Sequence, residues 1–155
     1  MSNLRQPAAL LLGALFLYYE IFRWLPLGRW NWQFHLPVSN DQFYPDLVIG
    51  ALLLWFAWSF ARQSRPGMVT ASVLLSLWVV VHFFDWWLPY LRDLPQNAAR
   101  FSFYHSHTQL LPVFGHHYPP DGAHTILDLI LYPTCLVALL ATVNSSKRSA
   151  KAYTR

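Results

Sequence analysis

Glu20, Asp85 and Asp128 lie inside apolar runs long enough to cross a bilayer, and His82 and His124 stand beside two of them. An ionisable side chain at membrane depth costs at least ~2.5 kcal/mol, so it is rare, faces protein rather than lipid, and marks ligand, ion or proton chemistry. His82 and Asp85 stand at i, i+3, and His124 and Asp128 at i, i+4. On a helix these spacings put an imidazole and a carboxylate on one face. Such a pair can act as an oriented general base. His82, Asp85, His124 and Asp128, with Glu20 nearby, also form a nitrogen and oxygen donor set of the type that zinc or non-haem iron takes. The match to a divalent-metal site is partial, because bundle metalloproteins carry two Glu-x-x-His motifs and two further glutamates. Bis-histidine haem requires His82 and His124 at one depth, and counting along ideal helices puts them about two turns apart.

Two further cations extend the set. Trp78, His82, Asp85, Pro89 and Arg92 follow helical spacing on one face, and Gly13, Leu17, Glu20 and Arg23 trace another. The expected ligand-binding residues are therefore Glu20, Arg23, His82, Asp85, Arg92, His124 and Asp128. Each has a structural alternative. Glu20 and Arg23 at i, i+3 can neutralise each other near the interface. Arg92 can snorkel outward and only hold Asp85 in place. Asp46, after Pro45, reads as a first-turn acid favoured by the helix dipole, and Asp121 as a helix cap. Asp128 has no basic neighbour in sequence and His82 lies deep, so these two are the hardest to explain structurally.

His105, His107, His116 and His117 add an imidazole-rich tract before Asp121. Such a tract can bind metal ions or titrate near neutral pH, or simply rest on the membrane surface with its aromatic neighbours. Other chemistry is poorly served. Cys135 is the only cysteine, which excludes a disulfide framework or C-x-x-C redox pair within the chain. Neither a nucleophile elbow nor an S-x-x-K element occurs, and no Gly-rich phosphate loop does.

The elements that position these residues follow from composition. Of 155 residues, 55% are hydrophobic and only 12% charged, against roughly 25% charged in soluble domains. Eight tryptophans, many near segment ends, resemble interfacial aromatic belts. The fold expected is all-α: one membrane domain over 1–155, a bundle of four transmembrane helices at about 8–25, 44–61, 68–91 and 123–143. The second has the shortest uncharged stretch. Arg5, Arg62, Arg65 and the tail at about 144–155, with Lys147, Arg148, Lys151 and Arg155, share one side. Positive-inside bias then places both termini in the cytoplasm and turns the loops at about 26–43 and 92–122 outward. Glu20, Asp85 and Asp128 all fall roughly 8–9 Å below the outer ends of their helices.

These observations predict a small integral protein of a bacterial cytoplasmic membrane with an outward-facing polar pocket for a small ligand, lipid head group or ion. Two alternatives stand beside it: a membrane enzyme using a carboxylate and histidine on a lipid-soluble substrate, and an accessory subunit whose acids pair with a partner helix. Membrane lipids, a small-molecule ligand and an oligomer or membrane complex are the partners expected. Nucleic acid is not, because the net charge of +4 comes from a juxtamembrane tail and dispersed loop residues.

Overall fold

The computed structural model describes residues 4–30, 40–94, 107–113, 115 and 119–153, with the side chains of 40–42 and 147–153 left aside. Helix α1 spans Arg5–Trp24 and stops where Pro26 demands an extended residue before it. Leu25 adopts that conformation, at φ −102° and ψ 137°, while its N–H closes the last turn on Ile21. Gly28 then reverses the chain at φ +61°, a left-handed value that side chains resist, and opens a short 3-10 turn, Gly28–Trp30. Helix α2 covers Asn40–Ala61. A tight turn with Gln63 at φ 60° leads into α3, whose first turn holds Pro66.

Helix α3 runs Arg65–His82, continues as a π-helical segment over Phe83–Trp87, and ends with one α turn, Leu88–Leu91. Helix α4 is a single helix from Gly122 to Tyr153, so it carries on well past the apolar stretch that ends near Val143. Consecutive helices run antiparallel. Arg5 hydrogen-bonds Gln63 at one end of the bundle, and Tyr18 donates to the Ala123 carbonyl at 2.7 Å toward the other.

The core is a continuous apolar column of Leu12, Leu15, Leu53, Phe56, Phe60, Met68, Leu75 and Leu131. On α1 the buried positions Ala8, Leu12, Leu15, Tyr19 and Phe22 recur at helical spacing. Small residues let α3 and α4 close up: Ser72 and Thr142 hydroxyls meet at 3.0 Å beside Ala71, Ala138 and Ala141. The outside is apolar too. Leu10, Leu77, Val81 and Leu136 are all more than half exposed. A helix that is apolar all round belongs in a larger core or a bilayer, and a chain of this size has no larger core to offer.

Three helical stretches are long and apolar enough to cross a membrane: Phe43–Ala61, Arg65–Leu91 and Gly122–Ser146. The segment that falls short is the first, not the second. Helix α1 is not among them, since Arg5, Gln6, Glu20 and Arg23 lower its hydropathy, whereas α2 gains length at its start.

Candidate functional site

Polar side chains collect at the end of the bundle where α1 and α3 finish and α2 and α4 begin. Three groupings make it up, each centred on an aspartate.

The first joins α1 to α2. Asp46 accepts from the Tyr19 hydroxyl at 2.8 Å and forms an ion pair with Arg23. All three are largely buried, so each charge has the partner that burial requires. Arg23 thus reaches across to the neighbouring helix rather than neutralising Glu20 one turn back. Glu20 instead lays its carboxylate against Gly50, in the space where any larger residue would place its Cβ. Gly50 is the residue that lets this acid sit between the two helices.

The second joins α3 to α4. His82 Nδ1 lies 2.8 Å from one Asp128 oxygen, and the Trp87 indole N–H donates to the other at 2.7 Å. Asp128 is 1% exposed, so both oxygens are satisfied by protein alone. An ionised carboxylate only accepts, so Nδ1 of His82 carries the hydrogen that Asp128 receives. That is the arrangement by which a carboxylate orients an imidazole for proton transfer or ligand contact.

The third sits at the mouth of α4. Asp121 caps the helix, its Oδ1 accepting from the His124 backbone N–H at 2.9 Å and its carbonyl accepting from Thr125 at 2.8 Å. The same Oδ1 lies 2.8 Å from His124 Nδ1, and Oδ2 lies 2.7 Å from His107 Nδ1. The segment around His107 is stitched in by backbone bonds from Thr108 to Arg29 and from Gly122 to Thr108. Asp121 and His107 are fully buried. Burial by itself pushes the Asp121 carboxyl up, but hydrogen bonds from His107 and His124, the charge of His124 and its backbone N–H outweigh it. The net effect holds Asp121 well below the ordinary carboxylate range.

Aromatic rings connect the groupings. Trp78 touches both Tyr19 and His82 edge-on, at 6.2 and 5.8 Å between centroids. His124 meets Phe22 at 5.9 Å and Trp86 at 4.4 Å. The His82 and His124 rings are 6.2 Å apart. The rings are thus closer than the two turns of depth expected from counting along ideal helices, because both side chains reach toward the seam between α3 and α4.

That segment also corrects the stripe drawn on α3. A π turn holds more residues than an α turn, so every position after His82 is rotated away from its expected face. Trp86 takes the inward place against His124, Asp85 is exposed, and Arg92 is exposed in the turn after the helix. Asp85 and Arg92 therefore do not join the buried set, whereas Glu20, Arg23, His82, His124 and Asp128 lie at this end of the bundle. The four candidate metal ligands do not converge either. His82 pairs with Asp128 and His124 with Asp121, and among the described residues no group of three or more His, Cys, Asp or Glu is placed to hold a metal ion. His105, His116 and His117 lie outside the described residues, as do 31–39 of the segment at about 26–43 and about half of that at about 92–122.

Three pairings were not readable from the sequence. The i, i+3 spacing of Asp121 and His124 was a readable signal for their pairing. No periodicity links His107 to Asp121, Trp87 to Asp128, or Tyr19 to Asp46. Comparison with family models, with curated proteins and with solved structures gives no match. The site therefore stands on its own geometry.

Proposed function

We propose that this chain is a multi-pass protein of a bacterial cytoplasmic membrane, with both termini cytoplasmic, that binds a small polar ligand or lipid head group at its outward end. The observation that carries this reading is the gathering of the ionisable side chains Arg23, Asp46, His82, His107, Asp121, His124 and Asp128 at one end of a largely apolar bundle. A layer of this cost at one level is a recognition surface by default. Imidazoles held by carboxylates supply hydrogen-bond donors and acceptors together with a charge that changes near neutral pH. Ligand entry from the outer aqueous side is favoured by the loop charges, which place Arg5, Arg62 and Arg65 inside.

A second reading is a membrane enzyme, and one observation favours it. His82 is oriented through Nδ1 by Asp128, which leaves Nε2 to take a proton from a lipid-soluble substrate. A third places the chain as an accessory subunit in a membrane complex.

Asp128→Asn tests all three. The amide keeps the acceptor to one neighbour and removes the charge. The ligand is expected to co-purify and be seen by native mass spectrometry, and the variant to lose it by about tenfold or more while melting within a few degrees of the parent. Unchanged retention sinks ligand binding at this centre. A variant that keeps its ligand but no longer co-purifies with a larger assembly supports the accessory role. Cysteine accessibility of the 92–122 segment from the cytoplasmic side would invert the orientation.

A further inference from the structure

The opposite end of the bundle carries the reverse charge pattern. All seven acids of the chain fall in the half of each helix nearer the aspartate-centred groupings, or in the segments beyond. Arg5, Arg62 and Arg65 mark the other end, and the basic tail leaves α4 on that side. A pocket of about 410 Å³ opens there between α1 and the end of α2, with Arg5, Gln6 and Gln63 as its polar lining. Among the described residues Arg5 meets no carboxylate, and its side-chain hydrogen bond goes to the neutral Gln63 amide. Gln63 holds this place at φ 60°, in the left-handed region that favours glycine. A glycine there would bring no amide to the pocket.

Beyond its polar lining the pocket adjoins a larger cavity. Ala9, Leu10 and Ala61 line both, and the second, of about 670 Å³, is an apolar trough between α1 and α2. Leu54, Trp55 and Trp58 wall it, and Ala51 stands at its far end. From Ala61 to Ala51 the trough follows α2 for about 15 Å. That is half of the ~30 Å hydrocarbon thickness, the depth of one leaflet. The Arg62 guanidinium lies 4.4 Å from the centre of the Trp58 ring, so a second cation borders the trough close to the polar pocket. A free phosphate would engage the cations and leave the trough empty. A neutral lipid would fill the trough and leave Arg5 without an anion. A lipid with an anionic head satisfies both halves of the groove, and a guanidinium suits a phosphate geometrically as well as by charge.

We propose that the α1/α2 groove binds one anionic phospholipid, with its phosphate on Arg5 and Gln63 and an acyl chain laid along the trough past Trp58 and Trp55. The site rests on the membrane-spanning reading and shares no residue with the ligand centre at the other end of the bundle. It needs no choice of membrane side, only that the arginine-bearing end meets anionic lipid.

Native mass spectrometry of the full-length chain, given phosphatidylglycerol and phosphatidylcholine with identical acyl chains, reads the preference directly. Phosphatidylglycerol should be retained about tenfold more than phosphatidylcholine. Arg5→Gln should erase that preference while melting within a few degrees of the parent. Arg65→Gln removes a charge from the same end but from neither cavity, and should keep the preference. Ala51→Trp fills the trough from an exposed position and should lower phosphatidylglycerol retention about tenfold. Glycerophosphoglycerol, the same head without chains, should fail to displace the lipid even in large excess. Equal retention of the two lipids, or equal loss in Arg5→Gln and Arg65→Gln, overturns the site and leaves diffuse surface charge. Displacement by glycerophosphoglycerol, or unchanged retention in Ala51→Trp, overturns the acyl trough. Asp128→Asn should keep the lipid preference and Arg5→Gln should keep the ligand of the other end, so each site can fail alone.

Discussion

Asp121 and Asp128 lie about two turns apart on one face of α4, and each holds histidine. Their settings differ. Asp121 stands at the helix mouth, where it caps the backbone and serves two imidazoles at once. The N-terminal end of the helix dipole favours its charge. Asp128 lies inside the apolar span, away from the helix end, with one imidazole and one indole. Asp121 engages both oxygens in structural contacts and ties the segment around His107 to the bundle. Asp128 orients a single imidazole through its Nδ1. The contrast sets a carboxylate that ties segments together against one that, under the proposed function, works at the site.

The largest effect expected is from Asp121→Ala, which removes the cap and leaves buried His107 without its partner. A loss of about 3 kcal/mol is expected in chemical unfolding in detergent, combining a helix cap with stranded buried donors. A loss no greater than that of an ordinary surface substitution would make the two aspartates equivalent.

The pH response sharpens the same point. Asp121 is depressed in the folded state, so its contribution is fully present above the ordinary carboxylate value of 3.8 and is lost as pH falls through the lower folded value. The stability gap between the parent and Asp121→Asn should therefore be constant from about pH 5 upward through the range where the histidines keep one charge state, and should close in strong acid. A gap that widened on acidification from pH 5 would reverse the sign and remove Asp121 as a stabilising anion.

Trp87→Phe is the smallest of these effects. It keeps an aromatic ring between α3 and α4 and removes one hydrogen bond to Asp128, for about 1 kcal/mol of stability. Its influence on ligand retention should exceed its influence on melting if Asp128 is a positioning group for His82. Equal small effects on both would leave Trp87 as packing alone.

Much of this arrangement was readable from residue order. Apolar runs and their bounding prolines foretold helices near α1 to α4, and the rarity of charge inside them singled out Asp128 and His82. The pairing could not be read. Arg23 looked satisfied by Glu20 at i, i+3, yet Asp46 on the next helix supplies a second hydrogen-bonded neighbour in Tyr19. Asp85 looked like the partner of His82 because an α-helix was assumed to continue. One π turn was enough to rotate it outward and to bring Trp86 and Trp87 into the site.

By itself the sequence determined that this is a helical chain with apolar faces all round and a few costly polar groups grouped toward one end, because hydropathy and helical period are local properties. Which acid holds which histidine was decided only by the tertiary structure. Those pairs join residues far apart in the chain, and helix crossing, a π-helical segment and the glycine at position 50 set the distances between them.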